Sequence, residues 1–147
     1  MVINEIRWTG IKIPFRKPLE TSAGALALRY SLLIWVDTDE GATGVGEAPA
    51  PLAGGESGLR HLYSLLQATA PSILGKSLEQ LGRLLPAAPE AGPSARALSF
   101  ALETAAYDAI GQAKGQPVAA LLGGRPKAIA VNALIGASSP EEMSALA

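Results

Sequence analysis

The sequence predicts an α+β fold: a three-stranded antiparallel meander, a run of helices, and then a lone strand that opens a second architecture. Three observations predict it. Residues 30–37 read YSLLIWVD, a nearly continuous β-rich run, with the turn residues Asp39-Glu40-Gly41 and a short returning strand at 42–47. Residues 59–122 carry apolar positions at helical rather than alternating spacing. Residues 128–135 read AIAVNALI, which is again a strand.

The elements follow in order. Residues 2–13 mix Ile3, Ile6, Trp8, Ile11 and Ile13 with charges and read as an edge-type strand. Pro14 and Pro18 are expected to break its pairing. Residues 17–29, with Pro18, Gly24 and small side chains, are expected to form a mobile surface loop. The buried strand, the turn and the return strand complete the meander. A second Pro/Gly-rich loop, APAPLAGGESG, covers 48–58.

Leu59, Leu62, Tyr63 and Leu66 then form one helical stripe, and Pro71 is expected to end that helix. Ser77 with Gln80 reads as a capping box ahead of Leu78, Leu81 and Leu85, with Pro86 as the stop. Residues 86–93 read as a linker. The longest helix is expected over 94–114, with Leu98, Ala101, Leu102, Ala105, Ala109, Ile110 and Ala113 on one wide face. Its small side chains allow close approach by another element, and Gly115 with Pro117 beyond it supplies the C-terminal stop. A helical turn at 117–122 closes on Gly123-Gly124, and Ser139 and Pro140 open a last helix after the 128–135 strand.

That strand and helix are half of a βα unit. A strand cannot satisfy its backbone donors and acceptors alone. A full (β/α)8 barrel takes about 250 residues. Domain boundaries are therefore expected at 1–125 and 126–147, the second part being the start of a barrel whose remainder is absent. The expected partners are the missing barrel segment, or a second copy paired through the orphan strand.

Composition excludes several classes. The net charge is -1, which gives no electrostatic reason for nucleic acid or an acidic membrane surface as partner. There are no cysteines, so disulfides and thiolate metal sites are ruled out. Glu5 and Arg7 interrupt the N-terminal apolar run, which reads as neither signal peptide nor anchor, and a cytoplasmic location is expected. GATGVG is followed by a proline-rich loop rather than a helix, so it fails as a nucleotide fingerprint.

Two stretches carry a family resemblance: GATGVGEAPAP at 41–51 and ALETAAYDAIGQAKGQPVAALLGG at 101–124. They resemble the N-terminal capping domain of the enolase superfamily, in its muconate-lactonizing-enzyme-like subgroup. Residues 93–122 with VNALIG at 131–136 are most similar to the o-succinylbenzoate synthase family of menaquinone biosynthesis. The resemblance implies a magnesium-dependent lyase that dehydrates a cyclohexadiene carboxylate. The alternatives are a racemase, epimerase or cycloisomerase of the same subgroup, or a non-catalytic capping module. Such enzymes remove a proton alpha to a carboxylate, using a Lys or His base with bound Mg²⁺.

The resemblance places the catalytic and metal-binding residues beyond Ala147, so none is assigned to this chain, which is expected to be inactive alone. It implies two substrate-facing lid loops, with Thr21, Ser22, Ala23 and Gly24 in the first and Pro49 and Leu52 in the second. Strand alternation places Asn132 and Leu134 on the barrel-lumen side. His61, Glu47, Glu103 and Asp108, and the turn carboxylates Asp37, Asp39 and Glu40, are read as structural or solvated.

Overall fold

A strand buried on one face only shows its asymmetry in alternation, and residues 24–49 build a sheet of that kind. The computed structural model describes residues 1–21, 24–81, 92–125, 127–131 and 139–146. Strands β1 (Ile3–Thr21), β2 (Gly24–Thr38) and β3 (Thr43–Pro49) form one antiparallel sheet in the order β1-β2-β3. On β2, Leu32, Ile34 and Val36 are fully buried, while Leu33 and Trp35 on the other face are half-buried. Helix α1 (Gly55–Ile73) packs Leu62, Leu66, Ala70 and Ile73 into the same core. Helix α2 (Pro93–Lys114) adds Leu98, Ala101, Leu102, Ala105, Ala106 and Ala109. Short helices α3 (Val118–Leu121) and α4 (Pro140–Leu146) follow, and 3₁₀ turns lie at Leu52–Gly54 and Leu78–Gln80.

The seat of α2 is set by two glycines. Gly44 and Gly46 point inward from β3, and a Cβ on either would overlap a backbone carbonyl of α2, that of Ala105 and of Ala101 respectively. Strand and helix backbones therefore touch, as the small-residue face of α2 predicts. Side chains of α2 also cover the free edge of β3. The Val45 N–H donates to the Asp108 carboxylate at 2.9 Å, and Gln112 Nε2 donates to the Thr43 carbonyl at 2.9 Å. This leaves less of the edge open to another chain. Gly115 ends α2 at φ +61, a left-handed cap of the expected kind.

Three expectations are corrected. Pro14 and Pro18 do not end the first strand: β1 pairs with β2 as far as Thr21↔Gly24, with a register shift between Pro14 and Leu19. An edge strand accommodates proline because only half of its N–H groups face a neighbour. The predicted loop over 17–29 is thus the end of a long hairpin. Pro71 lies inside the last turn of α1, which continues to Ile73. There only a terminal hydrogen bond is forfeited, and burial of Ala70 and Ile73 outweighs it.

After Ser77 the expected capping box is present at the head of a 3₁₀ turn, Leu81 beyond it is helical, and Leu85 lies outside the described residues. The third correction concerns the barrel strand. Residues 127–131 carry no regular structure, Ile129 and Val131 are 73% and 86% exposed, and 132–138 lie outside the described residues. The described residues offer this segment no strand to pair with, and without a pairing partner a β-rich sequence has nothing to make it a strand.

Gly46→Ala should lower the unfolding free energy in urea by about 1–3 kcal/mol, because the helix must move off the sheet. Ser31, 1% exposed, has a hydroxyl without a hydrogen-bond partner among the described residues. Ser31→Ala should leave stability unchanged or raise it by about 1 kcal/mol, read by the same denaturation curves.

Candidate substrate-capping site

The hairpin outruns the core. Ala50 donates its N–H to the Tyr30 carbonyl at 3.0 Å, which puts Tyr30 level with the end of β3. Six further residues of β2 run from there to Gly24, a projection of roughly 20 Å at the usual strand rise. Along this arm Pro14, Arg16, Lys17, Pro18 and Glu20 are exposed. At its end Thr21 Oγ1 donates to the Gly24 carbonyl at 2.7 Å, and Gly24 adopts φ +113, where other residues are strained. Ser22 and Ala23 lie outside the described residues.

The second expected lid segment is more ordered than a loop. Pro49 ends β3 opposite Ser31, and Ala50 is buried. The Gly54 N–H donates to the Pro51 carbonyl at 2.8 Å, closing a 3₁₀ turn that leaves Leu52 51% exposed. Gly58 of α1 faces Ala50 and Pro51 so closely that a Cβ there would sit 3.3 Å from the Ala50 side chain. The two segments meet at the base of the arm, not at its tip. Arg29 Nη1 donates to the Ala50 carbonyl at 2.9 Å in a half-buried setting. Sequence reasoning passed over Arg29; its signal was a lone charge in the otherwise small and apolar run GALALRYS. Asn132 and Leu134 lie outside the described residues.

The turn carboxylates have structural partners. Asp37 accepts from Arg7 Nε at 2.7 Å, from Arg7 Nη2 at 3.0 Å and from Thr43 Oγ1 at 2.6 Å. The Val2 N–H donates to Asp39 at 2.7 Å, and Glu40 lies 3.2 Å from the Met1 amino group. Asp108 takes the Val45 N–H, while Glu47 and His61 are exposed on β3 and α1. Among the described residues no three His, Cys, Asp or Glu side chains gather as a metal site. They therefore do not fit the magnesium that the family resemblance implies. No helix of the described residues is long and apolar enough to cross a membrane.

A three-stranded meander packed on two helices, with a hairpin projecting beyond them, is the architecture that the sequence resemblance implies. The family model for the N-terminal domain of mandelate racemase / muconate lactonizing enzyme matches residues 4–123. The chain belongs to this family. Its fold is the N-terminal capping domain of the enolase superfamily.

Among relatives of this capping domain, the L-Ala-D/L-Glu epimerase of Bacillus subtilis is 30% identical over 99% of this chain and 40% of its own length. The N-succinyl-L-Arg/Lys racemase of Bacillus cereus is 29% identical over 98% of this chain and 40% of its own length. The substrate-liganded structure of the Bacillus subtilis epimerase superposes with a TM-score of 0.82 at 29% identity, covering 99% of this chain and 41% of that one. A mandelate racemase/muconate-lactonizing-type protein of Roseovarius nubinhibens, solved with magnesium, gives 0.81 at 28%, covering 99% and 40%. The capping domain thus spans about two fifths of the length of these relatives. Their names favour the racemase and epimerase alternative over the dehydrating synthase.

The Arg7 guanidinium, aided by the Thr43 hydroxyl, holds the Asp37 carboxyl below its usual range, against a smaller opposing effect of burial. A depressed carboxylate contributes stability above its unfolded pKa and loses it as pH falls through the folded one. Acid titration should therefore withdraw this contribution only below about pH 4. In Asp37→Asn that part of the acid transition should vanish, and an Arg7/Asp37 double-mutant cycle followed by urea denaturation should give a small favourable coupling that weakens with added salt.

Proposed function

We propose that the chain is the substrate-capping part of a racemase or epimerase that inverts a carbon alpha to a carboxylate in a dipeptide or an N-acylated amino acid. The observation that carries this reading is the pair of relatives, an epimerase and a racemase, aligned over 98–99% of the chain. The reaction takes a proton from one face of that carbon and returns one to the other. The intermediate enediolate survives only where water is kept out.

The capping domain's part is to keep water out and select the substrate. Thr21, Ser22, Ala23 and Gly24 are assigned to substrate contact, their small side chains suiting close approach to a ligand. Pro49 and the exposed Leu52 add an apolar surface at the arm's base. Asn132 and Leu134 are assigned to the lumen of the barrel that this cap covers, with 1–125 as cap and 126–147 as its beginning. Proton transfer, and any magnesium, are assigned to the part of the enzyme that this chain does not span.

A second reading, o-succinylbenzoate synthase, rests on the sequence resemblance of residues 93–122 alone, and the relatives reported above do not carry it. Both readings are tested with the full-length parent enzyme in D₂O. Proton NMR should show deuterium entering at the alpha carbon of L-Ala-L-Glu or of N-succinyl-L-Arg/Lys. Dehydration of the succinyl-hydroxycyclohexadiene carboxylate without exchange into either class would establish the synthase instead. The 147-residue chain alone should catalyse neither reaction.

A further inference from the structure

We propose that Arg29 is a positioning residue that fastens Ala50 to the base of the hairpin arm, so that the arm and Leu52 form one mechanical unit. Ala50 lies one residue past the end of β3 and is 1% exposed, so both of its backbone polar groups need partners. Two consecutive residues of β2 provide them. The Tyr30 carbonyl takes the Ala50 N–H at 3.0 Å, and the Arg29 guanidinium donates to the Ala50 carbonyl at 2.9 Å. A hydrogen bond from a charged donor is stronger than a neutral one. Arg29 is also registered against Ile13 of β1, which ties it to both strands of the arm.

Ala50 is equally fixed on its other side. Its side chain and Pro51 sit against Gly58 of α1, and the turn that displays Leu52 starts at Pro51, closed by the Gly54 N–H and by Ser57 Oγ donating to the Gly54 carbonyl at 2.7 Å. A displacement of the arm therefore acts on Leu52 through one side-chain hydrogen bond and one backbone hydrogen bond at a single residue. Neighbouring Pro49 and Pro51 carry no N–H with which to add a further rung. The consequence for turnover rests on the capping role proposed above; the fastening itself does not.

Amide hydrogen exchange on the 147-residue chain tests the fastening directly. In Arg29→Met the Ala50 amide and the amides of residues 52–57 should exchange about tenfold faster. The Leu32 and Ile34 amides in the central strand should keep their wild-type rates. Arg29→Lys, which keeps the charge and much of the stem, should restore part of the protection and serves as the milder variant if Arg29→Met does not fold. Unchanged exchange at Ala50, or an equal rise at Leu32 and Ile34, would overturn the proposal. In the parent enzyme Arg29→Met should lower kcat more than it raises KM. If the parent turned over no dipeptide or N-acylated amino acid, the capping reading would fall, while the exchange pattern would still decide the role of Arg29.

Discussion

The contact between β3 and α2 sets the rest of the domain. Gly44 and Gly46 leave no side chain between strand and helix, and Ala101 and Ala105 meet them with their backbones. Such an interface has little tolerance: its fit depends on the absence of atoms, and even a methyl group displaces it. Once α2 is seated there, Asp108 and Gln112 reach the edge of β3, and the buried leucines of α1 and α2 share one core with Leu32, Ile34 and Val36. The long helix is thus both core wall and edge cover.

The sheet does not stop where its helical support stops. β1 and β2 continue to Thr21 and Gly24 with little behind them but their own ladder, so this arm belongs to the weakly stabilised end of the structure. That is a suitable physical basis for a segment that closes over a ligand. The arm is not loose at its root. Ala50, held by Arg29 and Tyr30, joins it to the turn that displays Leu52. Restraint at the base follows from this pairing.

Charge has a structural rather than a chemical use in the described residues. Asp37, Asp39 and Glu40 look like a cluster in sequence. In space they hold separate pieces of the N-terminal strand, through Arg7, the Val2 amide and the Met1 amino group. Each is occupied by a different partner, which is why their proximity makes no metal site.

The sequence by itself determined the meander, the turn at residues 39–41, the length of α2 and its glycine cap. These depend on local pattern: β-rich runs, helical spacing, and a residue free to take φ +61. It also carried the family, through GATGVGEAPAP and the alanine-rich helix, whose pairing the glycine contact explains. Tertiary structure alone decided the fate of Pro14 and Pro18. A proline's effect on a strand depends on which edge its missing N–H faces, and the sequence does not contain that edge. The same holds for Pro71, tolerated because Ala70 and Ile73 are buried around it, and for Arg29, whose partner lies 21 residues away. Residues 128–131 make the point in reverse. Their strand propensity is local, but a strand is a pairing between segments, and the described residues offer them no second segment.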